Sequence, residues 1–272
     1  MPTLYVTDLD GTLLRGDQRT SAYTNRAVRA LIERGMRFSY ATARSWNTAR
    51  KATEGLEAAF PLILYNGAFI RDNATGAVLQ ASFFAPEEAD RLAETLLGRG
   101  VQPIVYAWID GAERFSYLRE GVNRPTREFI ATRKGDPRDR PVDAAARLFD
   151  GDRFYFSCIG EEEKLAPLYD RYRDAYHCVY QRDLYSGETW LEIMPAAATK
   201  ARAARRLADM LGCDRLVAFG DGANDVDLFA AADESWAVAN AAPECKAAAT
   251  GVIGSNEEDA VARWLEEHFA PD

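Results

Sequence analysis

The sequence predicts an α/β protein: a Rossmann-like parallel-sheet core with an α+β domain inserted into it. Three observations carry this. Short apolar, β-rich runs alternate with amphipathic helical runs up to Gly67. The same alternation returns after Pro195. Between the two stretches, strand-like runs come in pairs joined by the short turns "DGAE" and "YSGE", the pattern of antiparallel hairpins.

Each element has its own justification. "TLYVTDL" is a short β-rich run readable as a buried parallel strand. "TSAYTNRAVRALIERG" follows as a helix that Thr20 or Ser21 can cap; Val28, Leu31 and Ile32 share a face, and Gly35 ends it. "MRFSYAT" reads as a second strand, "ARSWNTARKATEGL" as a second helix and "PLILYNG" as a third strand. That β-α-β-α-β order implies a parallel sheet with right-handed crossovers. In the middle, helical "PEEADRLAETLLGRG" precedes the strands "VQPIVYAW" and "RFSYLR". Residues 121–150, with Pro125, Pro137 and Pro141, read as mixed helix and loop. Then come the strand "RFYFSCIG", a helix over about 161–175, and the strands "HCVYQRD" and "TWLEIMP". Hairpins of this kind imply an antiparallel sheet with helices on one face. The last part supplies helix "TKARAARRLADMLG", strand "RLVAFGD", helix "NDVDLFAAAD", strand "WAVAN" and two short helical stretches around "GVIG". The expected division is a core from residues 1–82 and 191–272, with residues 83–190 as the insert.

Composition narrows the function. The chain has 272 residues and a formal net charge of -9, which argues against nucleic-acid binding, since that requires a basic patch. A small anionic substrate remains compatible if a cation or a local lysine offsets the field. The four cysteines form no CxxC pair, so neither a zinc site nor a redox motif is signalled. No run of about 18 apolar residues occurs, so no membrane span is expected. Asp8 and Asp10 interrupt the N-terminal apolar stretch, so no signal peptide is expected and the protein is placed in the cytoplasm.

Two aspartates two residues apart, directly after an apolar strand, pose the central question. A lone DxD at that place is ordinarily a turn or cap. In an open parallel sheet, however, ligands sit beyond the carboxyl ends of the strands. Asp8 ends the first strand, Thr42 the second, Asn66 and Gly67 the third, and "GDGAND", residues 220–225, follows "RLVAF". Asp8, Asp10, Thr42, Asn66, Asp221, Asn224 and Asp225 can therefore converge on one rim. Several carboxylates there repel unless a cation joins them, and Mg²⁺ with oxygen ligands suits a site that also holds phosphate. Lys200, heading the helix after Pro195, can supply positive charge to the same rim. No G-x-G-x-x-G follows the first strand and no P-loop motif occurs, so dinucleotide and P-loop readings fall away.

"DLDGTLL", "YATARS", Lys200 and "GDGAND" resemble, in order and spacing, the four motifs of the haloacid dehalogenase-like phosphohydrolases. The large α/β insert resembles the cap of the Cof-type branch. The resemblance implies that Asp8 is the nucleophile and Asp10 the general acid and base. It places Mg²⁺ on Asp8, Asp221 and the Asp10 backbone carbonyl, with Asn224 and Asp225 supporting that shell or orienting Lys200. It gives Thr42 and the Ala43 amide to the phosphoryl oxygens, with Asn66, Gly67 and Lys200 beside them. The branch has glycine where Ala43 stands; a left-handed backbone there would be strained by alanine. The implied activity is a Mg²⁺-dependent phosphatase acting on a small phosphorylated metabolite, such as a sugar phosphate, with no nucleic-acid or membrane partner. A phosphomutase or phosphotransferase with the same nucleophile, and a non-catalytic binder on the same fold, are the alternatives. Arg44 divides evenly between the phosphate and the surface, and the aromatic runs of the insert read as core rather than as a sugar platform.

Overall fold

The computed structural model describes residues 1–56, 60–182 and 186–271. The turn expected at "YSGE" begins at Tyr185, which lies outside the described residues. The chain forms two units: Met1–Ala81 with Ala198–Asp272, and Ser82–Ala197.

The first unit opens with β1 (Thr3–Thr7), α1 (Ala22–Glu33), β2 (Arg37–Tyr40) and α2 (Trp46–Ala52). Ser21 caps α1 by accepting the Thr24 amide, and Ser45 caps α2 by accepting the Thr48 amide. β3 (Leu62–Leu64), β4 (Phe69–Arg71) and β5 (Val78–Ala81) come next. Here the structure departs from expectation. β3 is not a full member of the parallel sheet: it touches it through one parallel bridge, Ala41 to Ile63, and otherwise pairs antiparallel with β4, which pairs with β5. β3 and β4 have three residues each, and the tight turn over residues 65–68 joins them.

The second unit contains α3 (Pro86–Gly98), β6 (Ile104–Ile109), β7 (Ala112–Leu118), α4 (Arg124–Ala131), β8 (Asp139–Val142), β9 (Asp152–Gly160), α5 (Glu162–Tyr172), β10 (His177–Arg182) and β11 (Thr189–Met194). Its sheet has the order β10-β11-β9-β6-β7-β8. All pairs are antiparallel except β7–β8. β8 lies in the stretch 121–150 expected as mixed helix and loop; it holds Pro141 because, as an edge strand, it needs no ladder donor on its outer side. Because β11 pairs with both β10 and β9, the insert runs past residue 190 to Ala197. Its core lies under α3 and α5 and includes Leu92, Leu96, Phe156, Leu165, Leu168 and Leu191.

The chain then returns to the first unit with α6 (Lys200–Leu211), β12 (Arg215–Gly220), α7 (Val226–Ala231), β13 (Glu234–Ala237), α8 (Pro243–Ala248), β14 (Gly251–Val252) and α9 (Ala260–His268). The main sheet has the order β14-β13-β12-β1-β2, and every pair is parallel. β1 and β12 are buried along almost their whole length, as strands covered by helices on both faces must be. α1 packs against α9, and α6 against α7. Gly212, in the left-handed conformation, terminates α6. No described helix is long and apolar enough to cross a membrane.

Candidate active site

The site lies where β1 and β12 end. β1 stops at Thr7, and the Asp8 amide still bonds the Phe219 carbonyl of β12 at 2.9 Å. The chain then makes one wide turn, Leu9–Leu13, closed by the Leu14 amide on the Leu9 carbonyl at 2.8 Å. Gly11 allows that turn, with φ at +76°, and a Cβ at this position would collide with the Asp221 carboxylate. Thr12 donates to Asp221 Oδ1 at 2.8 Å, which fixes the second acid against the first loop.

Lys200 is the hub. It is only 1% exposed, and its ammonium bonds Asp8 Oδ1 at 2.8 Å and Asp225 Oδ1 at 2.7 Å. The other oxygen of Asp225 accepts the amides of Asp221 and Gly222, each at 3.0 Å. Both Asp225 oxygens are thus occupied in shaping the loop and aiming the lysine. One oxygen each from Asp8, Asp221 and Asp225 lies within 4.8 Å of the others.

Charge balance follows from this packing. Asp8 is 6% exposed, and burial pushes its carboxyl well above the ordinary value; Lys200 opposes the shift, while Asp225 and Asp221 add to it. Burial, with the Asp225 charge, raises Asp221 to about 6. Burial disfavours the Lys200 ammonium, but the charges of Asp225 and Asp8 outweigh it and hold the lysine above its usual value. One buried cation faces two buried acids and the half-buried Asp221, so the cluster is short of positive charge. A hard divalent cation fits both the oxygen-only donor set and that deficit.

The other expected residues are linked to this centre. The Asn66 amide bonds the Thr42 carbonyl at 2.9 Å, and Asn224 Nδ2 donates to Asn66 Oδ1 at 3.3 Å. Thr42 is buried, and its hydroxyl accepts the Arg44 amide at 3.1 Å. Ala43 is not left-handed; the left-handed run is Tyr65, Asn66 and Gly67. A Cβ on Gly67 would overlap the Thr199 carbonyl, so glycine lets this turn press against the start of α6, where Lys200 sits. Asp10 stands apart from the acid cluster. Its carboxylate is gripped by Arg44 in a two-pronged pair, Nε to Oδ2 at 2.7 Å and Nη2 to Oδ1 at 2.6 Å.

Two residues escaped the sequence reading. Asn240 donates to the Gly11 carbonyl at 2.7 Å and accepts the Asn256 amide at 3.0 Å. Asn256 in turn donates to the Leu14 carbonyl at 2.9 Å. Together they clamp the loop that follows Asp8, and no motif spacing announces them.

Comparison with known proteins shows the family and the fold. The family profile described as haloacid dehalogenase-like hydrolase matches residues 5–265. A 5-amino-6-(5-phospho-D-ribitylamino)uracil phosphatase of Bacillus subtilis is 26% identical over 281 aligned positions, covering 96% of this chain and 96% of that protein. An HMP-PP phosphatase of Serratia proteamaculans is 27% identical, covering 95% of this chain and 92% of the relative. A crystal structure from Thermotoga maritima superposes with a TM-score of 0.78 at 24% identity, covering 100% and 99% of the two chains, which shows a common fold.

Proposed function

The chain belongs to the haloacid dehalogenase-like hydrolases, and on that footing we propose that it is a metal-dependent phosphatase of a small phosphorylated metabolite, working through a phosphorylated Asp8. The observation that carries the reading is the Asp8 carboxylate at the end of β1, bonded to a buried lysine and grouped with Asp221. An acid held there, with its charge compensated and its orientation fixed, is a poised nucleophile.

In this reading an Asp8 oxygen attacks phosphorus and the bond from phosphorus to the ester oxygen breaks. The leaving oxygen takes a proton from Asp10, which must first leave the Arg44 fork. Water then attacks the phosphoryl-aspartate and gives its proton to Asp10. The bond from phosphorus to Asp8 breaks, and phosphate is released with Asp8 regenerated. Lys200 neutralises charge on Asp8 and on the phosphoryl oxygens, and Asp225 holds Lys200 in place. Thr42 and the amide of Ala43 would hydrogen-bond the phosphoryl group, with Asn66 and Gly67 shaping that side. A divalent cation, Mg²⁺ by its preference for carboxylate and phosphate oxygen, would be held by Asp8 and Asp221 and would lower the charge of the transferring group. Asn224 and Asp225 would support that shell. The second unit would act as the cap that selects the substrate.

The deciding experiment uses p-nitrophenyl phosphate. Excess chelator should abolish turnover and added Mg²⁺ restore it, while Asp8→Asn should be inactive with its fold kept, as read by circular dichroism. Full turnover in chelator would remove the metal from the mechanism, and near-normal turnover by Asp8→Asn would remove the nucleophile. A sugar acceptor that leaves with the phosphoryl group, in place of free phosphate, would instead mark a phosphotransferase.

A further inference from the structure

An arginine that grips an acid must itself be held. The Arg44 guanidinium is fixed by more than its two bonds to Asp10. Its Nη2 carries two N–H groups. Nη2 bonds Asp10 Oδ1 at 2.6 Å and also reaches Gln18 Oε1 at 3.1 Å. Gln18 is exposed, and its backbone is left-handed, at φ +60°. That conformation is disfavoured for a residue with a Cβ, so surrounding contacts must hold the loop in it.

Those contacts come from the stretch just before α9. The Arg15 amide bonds the Arg19 carbonyl at 3.0 Å and the Gln18 amide bonds the Arg15 carbonyl at 2.9 Å, which closes a turn over residues 15–19. Arg15 is anchored on Asp259, donating from Nε to Oδ1 at 3.1 Å and from Nη2 to Oδ2. Asp259 is 6% exposed, and its Oδ1 also accepts the Thr24 hydroxyl of α1 at 3.1 Å. Glu257 Oε1 accepts the Gly16 amide at 2.6 Å. Two carboxylates therefore fasten the turn from which Gln18 reaches Arg44. All of these residues belong to the first unit.

The consequence concerns proton transfer. Asp10 has to leave Arg44 to reach the leaving oxygen, and it returns afterwards. A charged donor that loses an acceptor without replacement is costly. Gln18 keeps an acceptor on Nη2 while Asp10 is away. It thereby eases the release and keeps the guanidinium in place for the return. Position matters here, because a misplacement of about 1 Å can cost about a hundredfold in rate. Resting on the phosphatase reading above, we propose that Gln18 is a positioning residue for Asp10, and that Asp259, through Arg15, holds Gln18 to that task.

The test compares glycerol 2-phosphate, whose alkoxide must be protonated as it leaves, with 2,4-dinitrophenyl phosphate, whose phenolate needs no proton. Assays use the full chain with Mg²⁺, and kcat/KM reports the first phosphoryl transfer. Gln18→Gly removes the carboxamide and suits the left-handed backbone, so its melting temperature should be unchanged or raised. It should lower kcat/KM for the glycerol ester tenfold or more and leave the dinitrophenyl ester within twofold of the wild type. Asp259→Asn, which weakens the anchor without touching Arg44, should show the same split to a smaller extent. Equal losses on both esters, or no loss on the glycerol ester, in Gln18→Gly would overturn the proposal. Hydrogen exchange at the Arg44 Nε–H, followed by NMR and assigned through Arg44→Lys, is independent of turnover. It should quicken at least fivefold in both variants, and unchanged exchange would overturn the hold on Arg44. If the wild type hydrolyses neither ester, the phosphatase reading fails by itself, and the exchange rates still decide whether Gln18 and Asp259 hold Arg44.

Discussion

Removing the Lys200 charge while keeping its bulk tests the reading of the acid cluster most directly, and Lys200→Met is the change to make. Lys200 Nζ lies 2.8 Å from Asp8 and 2.7 Å from Asp225. At an effective dielectric of about 20, a unit pair at such a distance carries roughly 6 kcal/mol of gross attraction. Desolvation of the three groups offsets much of it. What the variant loses is set by the acids left behind, and breaking a buried pair costs about 3–5 kcal/mol. A fall of about 10 °C in melting temperature is expected, at roughly 2–4 °C per kcal/mol.

The sign of the pH dependence checks the cause. Burial already holds the Asp8 carboxyl above its unfolded value and Lys200 opposes that rise, so without the lysine the rise is larger; the stability Asp8 contributes is greatest at low pH and is lost as pH rises. The deficit against the wild type should therefore shrink from pH 7 to pH 5. Lys200→Met with Asp225→Asn should recover part of the stability, because an asparagine oxygen can still accept the amides of Asp221 and Gly222. It should recover no turnover of p-nitrophenyl phosphate. Urea unfolding at the two pH values with steady-state rates gives all four numbers. A Lys200→Met variant that unfolds within about 0.5 kcal/mol of the wild type, the range of surface changes, and turns over normally would refute the charge hub.

Other perturbations separate the parts. Asp10→Asn should slow an alkyl phosphate by at least a hundredfold while sparing formation of the phosphorylated enzyme from 2,4-dinitrophenyl phosphate, whose leaving group needs no proton; rapid-quench measurement of the phosphorylated species decides it. Gly67→Ala forces a Cβ into the Thr199 carbonyl at a φ of +102° and should cost about 2–4 kcal/mol with a loss of kcat, read by urea unfolding and steady-state rates. Wild-type behaviour of that variant would mean that the turn does not position Lys200.

How much of this was legible depends on what kind of information each feature needs. Asp8, Thr42, Lys200 and Asp221 could be placed at strand and helix ends because hydrophobic periodicity marks where a parallel strand stops. The alternation also located the insert, but not its end, since β11 and the return to α6 are separated by only a few residues around Pro195. β4 and β5 were invisible: three and four residues carry too little alternation to read. The grip of Arg44 on Asp10 depends on side-chain torsions, and the Asn240–Asn256 clamp on which loops meet, and neither leaves a spacing in the chain.

The turn at Tyr65–Gly67 shows where residue identity and role part company. "YNG" is a turn signal, and Asn66 and Gly67 could be assigned to the rim on that ground. Yet Tyr65 and Asn66 are both left-handed, at φ +51° and +53°. Each non-glycine residue in that region costs about 1–2 kcal/mol, so surrounding contacts must hold the turn. They do: the Tyr65 amide bonds the Arg44 carbonyl at 3.2 Å, and the Asn66 amide bonds the Thr42 carbonyl at 2.9 Å. Asn224 reaches Asn66 from the loop after β12, and Gly67 abuts the start of α6. One strained turn therefore touches the loops that carry Thr42, Asn224 and Lys200. Strain concentrated where three loops meet is the expected cost of holding them in register, and it makes this turn the positional reference for the site whether or not any of its atoms meets phosphate.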